Sequence, residues 1–103
     1  FKNGKRQGEV FEVNLVGNHT HAHFQAGRLD GPYRETTPEG YPLLQGHYQD
    51  GKRHGRFVEY NHQGQVERIT PYQQGQAQGE GWIRDRDGQL LPARWEQGRR
   101  VAP

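Results

Sequence analysis

The segment Tyr48-Gln49-Asp50-Gly51-Lys52-Arg53-His54-Gly55-Arg56-Phe57-Val58-Glu59-Tyr60, with Gly64 shortly after it, decides the fold. Asp-Gly is a strong two-residue hairpin signal, because glycine takes a positive φ without strain. Arg56-Phe57-Val58-Glu59-Tyr60 mixes β-branched and aromatic side chains with charges, as a half-exposed strand does. Asn61-His62-Gln63-Gly64 marks a second turn. The segment therefore reads as strand, turn, strand, turn.

The same arrangement recurs along the 103 residues. The pattern aromatic-x-x-Gly-x-x-x-Gly occurs at Phe1-Gly4-Gly8, Phe24-Gly27-Gly31, Tyr48-Gly51-Gly55 and Tyr72-Gly75-Gly79, and a further copy opens at Trp95-Gly98. The leading aromatics lie 23, 24, 24 and 23 residues apart, and a third glycine follows at Gly17, Gly40, Gly64 and Gly88. A fixed period of this length is the mark of a repeat architecture. Gly4, Gly27, Gly51, Gly75 and Gly98 are assigned to the tight hairpin turns. The chain reads as one repeat domain, with units 1–23, 24–47, 48–71 and 72–94 and a partial unit 95–103.

Two strands per unit predict eight or nine short strands. Tight turns between consecutive strands give an antiparallel meander, all-β and a single layer thick. Nine strands at about 4.8 Å each make a twisted sheet roughly 40 Å long. One aromatic column is expected from Phe1, Phe24, Tyr48, Tyr72 and Trp95, and a second from Tyr33, Phe57 and Trp82. Each unit buries little alone, so stability has to come from its neighbours.

Composition narrows the chemistry. Only 29% of residues are hydrophobic and 15 are Gly, against long helices and a thick core. The chain has no Cys and no Ser, so thiolate chemistry, disulfides and a serine triad are excluded. No apolar run approaches the roughly 20 residues of a membrane-spanning helix. Without Met, the chain is expected to be a piece of a longer protein or a processed product, and the lack of Cys suits cytoplasm and periplasm alike. A net charge of +2 is too small to point to nucleic acid, and none is expected as a partner.

The repeat resembles the MORN repeat (membrane occupation and recognition nexus), and more closely its bacterial variant. The best match is Tyr48 to Tyr60 with Gly64. Phe1 to Phe11 matches with Lys5 in place, and Phe24 to Tyr33 matches with Arg28 for Lys. The Tyr72 unit departs, with Gln76 for Lys and Gly81-Trp82 moving the aromatic by one. The resemblance covers nearly the whole chain. It implies a hairpin-repeat fold without catalytic residues. Bacterial members include antitoxin-like and immunity proteins beside secreted toxins; animal and plant members bind acidic phospholipids or act as scaffolds.

Three groups of residues are candidates for binding. Lys5, Arg6, Arg28, Lys52, Arg53, Arg99 and Arg100 follow the hairpin glycines and are expected along one long side of the sheet. Arg favours bidentate contact with carboxylates and phosphates. Plain solvation of the turns competes with this. Arg34 and Tyr60 belong to a second group, the strand Arg and aromatic residues, which are favoured anchors of interfaces. The third group is His19, His21 and His23, which alternate and so share one face of a strand. They are weak candidates for a metal, since three collinear imidazoles poorly suit one tetrahedral ion and no Cys is present. An exposed polar face is the competing account.

Acidic pairs such as Glu9 with Glu12, or Asp85 with Asp87, read as solvated rather than catalytic. No helix follows any glycine run, so there is no phosphate loop. The expectation is a non-enzymatic protein-binding module without cofactor or metal. The resemblance implies an immunity or antitoxin protein that blocks a toxin by occlusion. Its contacts are expected at Arg28, Arg34, Lys52, Arg53, Tyr60, Lys5 and Arg6. Association with an anionic membrane, or a scaffold role, is the alternative.

Overall fold

The computed structural model describes residues 8–101; Gly4, Lys5, Arg6 and the Phe1 end of the first unit lie outside them. The described residues form an open, all-β sheet of antiparallel hairpins with no helix. The strands are β1 (Gly8–Val13), β2 (His19–Gln25), β3 (Arg28–Leu29), β4 (Gly31–Thr36), β5 (Pro42–Gln49), β6 (Lys52–Arg53), β7 (Gly55–Tyr60), β8 (Val66–Gln73), β9 (Gln76–Ala77), β10 (Gly79–Arg84), β11 (Leu90–Glu96) and β12 (Arg99–Val101). Nine of them lie in the order β1-β2-β4-β5-β7-β8-β10-β11-β12, with no crossover. The two-residue strands β3, β6 and β9 close the hairpins against β2, β5 and β8. The molecule measures 48 × 33 × 17 Å.

Both turns of the repeat follow from backbone chemistry. At the tight turns, Ala26-Gly27, Asp50-Gly51, Gln74-Gly75 and Gln97-Gly98 all have positive φ, near 50° at the first residue and 82–89° at the second. Positive φ at both central residues defines the type I′ turn, whose twist matches that of the flanking strands. The tight turns are clasped to one another. Gly51 N donates to Leu29 O (2.8 Å), Gly75 N to Arg53 O (3.0 Å) and Gly98 N to Ala77 O (2.9 Å).

The opposite turns span five residues and are closed from their first position. Asn61 N donates to Gln65 O and Gly64 N to Asn61 O, while the Asn61 side chain accepts from the amides of Gln63 and Gln65. Asn14 and Asp85 act in the same way, and the Thr37 hydroxyl accepts from the amide of Tyr41. Short polar side chains offer such local bonds where the ladder ends.

The register explains how so thin a sheet holds together. Partners across an antiparallel ladder point to the same face. Gly31 opposes Tyr48, Gly55 opposes Tyr72 and Gly79 opposes Trp95. In the next row Val10 opposes Ala22, Tyr33 opposes Gly46, Phe57 opposes Thr70 and Gly81 opposes Ala93. Large side chains thus alternate with small ones in both directions except at Gly81 and Ala93, and the rings lie down over the gaps. Tyr33, Tyr48, Phe57 and Tyr72 follow one another edge to face, with centroids 5.2, 5.5 and 5.3 Å apart. Such pairs contribute beyond the area they bury. Phe57 is 1% exposed, at the centre of this ring face.

Two expectations need correcting. The two aromatic columns are one interleaved ladder, because the second column inserts its rings between those of the first. Trp82 does not belong to it. Gly81 takes the place that Tyr33 and Phe57 hold in their units, so Trp82 turns to the opposite face and is 41% exposed. The larger Trp95 fills the vacated space, 7% exposed in a cluster with Ala77 and Ala93 that Tyr72 and Ile83 flank.

Candidate interaction surface

The sheet has a second face, on which no described element packs. Alternation and register place on it Phe11 and Val13 of β1, His19, His21 and His23 of β2, Arg34 of β4, Gln45 of β5, Val58 and Tyr60 of β7, Ile69 of β8 and Trp82 of β10. Along the middle of this open face the side chains run Phe11, His21, Arg34, Gln45, Val58, Ile69 and Trp82. The face therefore runs from Phe11 through imidazole, guanidinium and amide to apolar side chains at the other end.

Arg34 and Tyr60, read from the sequence as separate contacts, are joined here through Gln45. Gln45 opposes Arg34 across β4–β5, and its Oε1 accepts from the Tyr60 hydroxyl at 3.1 Å. Arg28 and Lys52 are the first residues after their turns and pair with Gln25 and Gln49, which also places them on the open face, at its rim. Their stems lie on the next turn: a β-carbon at Gly51 would meet Arg28 Cβ at 3.8 Å, and one at Gly75 would meet Lys52 Cβ at 3.6 Å. Gln76 takes the equivalent place in the next unit, so the cationic row stops there.

Arg53 goes elsewhere. It pairs with Tyr48 and so falls on the ring face. Its guanidinium sits over the rings of Phe57 and Tyr72, 4.8 and 5.2 Å from their centroids, and donates to the Tyr72 hydroxyl at 3.0 Å. Burial works against its charge, but hydrogen bonds to Tyr48 and Tyr72 outweigh this and hold its pKa above the ordinary value. Arg53 is thus part of the packing. Beside it, burial and then the hydrogen bond to Glu35 (2.7 Å) push the Tyr33 hydroxyl well above its ordinary pKa.

The three histidines share the open face, as alternation requires, but they do not converge on one point. His19 and His21 meet the Phe11 ring edge-on, with centroids 5.1 and 4.9 Å away, and His23 Nδ1 is 2.9 Å from the carbonyl of Asp30. Among the described residues no group of His, Asp and Glu is arranged to hold a metal ion.

Some residues of this surface were not singled out from the sequence: Phe11, Gln45, and the turn tip Leu15-Val16, whose residues are 106% and 74% exposed. Aligning the units position by position reveals them. The tip is Leu15-Val16 in the first unit but Pro38-Glu39, His62-Gln63 and Arg86-Asp87 in the others. Ten residues after each leading aromatic stand Phe11, Arg34, Val58 and Trp82. The units agree at the turn glycines and differ at these outward-facing positions.

No protein-family model matches the chain, and it matches no curated protein. No helix among the described residues is long and apolar enough to cross a membrane.

Proposed function

We propose that the chain is a non-enzymatic, MORN-like recognition module that binds a partner protein across its open face. In this proposal it serves as an immunity or antitoxin protein, neutralising a toxin by covering its surface. One observation carries the proposal: Arg34, Tyr60 and Trp82, the residue types that anchor protein interfaces, share the face on which no described element packs. The ring face fills its own gaps by alternating large and small side chains, whereas the open face offers long side chains of varied chemistry. A rigid sheet of 48 × 33 Å exceeds the roughly 800 Å² per partner that a standard interface needs. The mechanism is occlusion, with no bond made or broken.

The cationic positions Arg28 and Lys52 border the same face and suit an acidic rim on the partner. They would also suit anionic headgroups, and salt separates the two. Co-purification of the tagged full-length protein from its native cell, washed at about 0.5 M salt, tests the proposal, because exposed charge contacts are screened there. A stoichiometric protein partner supports it. Loss of all protein partners, together with low-salt sedimentation on phosphatidylserine vesicles, would replace it with membrane association.

A further inference from the structure

The first unit departs from the others at one place. β1, β2 and β4 form an open groove of about 430 Å³, bordered by the central row Val10, Ala22 and Tyr33 and, on the open face, by Glu9, Phe11, His21, His23, Pro32 and Arg34. His21 stands between Phe11 on one side and Arg34 on the other, paired in register with both. Four other arginines of the strands are already engaged. Arg84 donates to the carbonyls of Val66 and Gly88, Arg94 and Arg68 lie beside Glu96 and Glu59, and Arg53 is stacked on rings. Arg34 is exposed and, among the described residues, has neither an ion pair nor a side-chain hydrogen bond. Glu9 is the acidic residue of the groove, and its register partner is His23, two residues along the strand from His21 on the same face. An unpaired guanidinium beside an imidazole that itself meets a phenyl ring is complementary to a carboxylate joined to an apolar group.

Beyond the groove the same strand stays apolar. Phe11 and Val13 are each 55% exposed, and the following turn projects Leu15 and Val16. No other of the four equivalent turns has an apolar pair at its tip. From Phe11 to Leu15 the strand and turn run about 13 Å, the reach of some four extended residues.

We propose that this end of the open face seats an extended acidic–apolar segment of the partner protein. An Asp or Glu side chain of that segment enters the groove, its carboxylate accepting from the Arg34 guanidinium and from the ring N–H of His21. The apolar residues beside it lie along Phe11 and Val13 towards the Leu15-Val16 tip. This rests on the open face being the recognition surface, and it names the chemistry recognised there.

Phenylacetate carries both features and serves as the probe, with 2-phenylethanol as its uncharged counterpart. On the full-length protein, NMR titration with phenylacetate is expected to shift Phe11, His21 and Arg34 together, with affinity on the order of millimolar. 2-Phenylethanol is expected to leave the Arg34 side chain unmoved. Arg34→Gln, a change at an exposed position, is expected to weaken phenylacetate at least about tenfold, the weight of a lost charge-assisted bond. Equal binding of the two probes, no response to phenylacetate, or full affinity in Arg34→Gln would overturn the inference. A partner captured equally well by Arg34→Gln and by the Leu15→Ser/Val16→Ser variant would also overturn it, yet leave the recognition module standing. A phenylacetate response without any protein partner would sink the module and not the groove.

Discussion

The ring of Phe57 occupies the space above Gly46, and a β-carbon at position 46 would be driven into it. Gly46 has no need of glycine for its backbone, since its φ lies outside the left-handed region. The absence of a side chain is what the position supplies. The neighbouring strand's largest buried ring lies flat because this residue has nothing to present.

Gly46→Ala is therefore expected to destabilise the sheet by about 1–3 kcal/mol, the cost of overpacking a closed site. Phe57→Ala is expected to cost about 3–5 kcal/mol, since it empties the centre of the ladder. The two are coupled through one contact, so the double variant should lose less than the sum. Urea unfolding of the four proteins checks this, and strictly additive losses would show that the contact is not what holds the ring.

The tight turns store a small strain that can be relieved. Ala26 has φ of 53° and Gln74 of 51°, a region that side chains other than Asn and Asp seldom enter. Ala26→Asn and Gln74→Asn should each raise stability by about 0.5–1 kcal/mol, part of the left-handed penalty. Asp50→Ala should lower it. Thermal unfolding reads all three, and a reversed order would mean that the turns are not under backbone control.

Arg53 and Lys52 are adjacent in sequence and opposite in role. Arg53→Ala should cost about 0.5–2 kcal/mol, because the cation leaves the faces of Phe57 and Tyr72. Lys52→Ala and Arg28→Ala are rim changes and should stay within about 0.5 kcal/mol of the parent. Their effect should appear instead in partner capture. Comparable stability losses at positions 52 and 53 would contradict the placement of Arg53 on the rings.

The Tyr33 hydroxyl gives the fold an alkaline limit. Its pKa is raised on folding by burial and by the hydrogen bond to Glu35. The folded state therefore holds the proton more tightly than the unfolded chain. The resulting stability is fully present below the ordinary tyrosine value of about 10 and is lost as pH rises above it. Unfolding followed between pH 9 and 11 should show this decline, and Tyr33→Phe should flatten it. An unchanged slope in the variant would assign the effect to another group.

The repeat period and the hairpin glycines were legible in the sequence because turn geometry is local. Asp50-Gly51 states its conformation within two residues. The single interleaved ladder was less legible, since it depends on which residue lies opposite which ring across strands. Gly46 and Ala22 look incidental until paired with Tyr33 and Val10. Trp82 misled for the same reason: an aromatic one place from its expected position faces the other way, as alternation demands. Of the binding positions, Arg34 and Tyr60 were recognisable by residue type, but their union through Gln45 was not. Arg53 was indistinguishable from Lys52 until the register set them on opposite faces. Lys5 and Arg6 lie outside the described residues.

The proposed recognition face is tested most directly by two double variants of the tagged full-length protein in the same capture experiment. Arg34→Ala/Tyr60→Ala alters the open face, and Glu59→Ala/Arg68→Ala alters an exposed ion pair on the ring face. Both should fold, as their circular dichroism would report. The first variant is expected to lose the salt-resistant protein partner and the second to retain it. Loss in the second variant with retention in the first would contradict the proposed face and transfer recognition to the ring face.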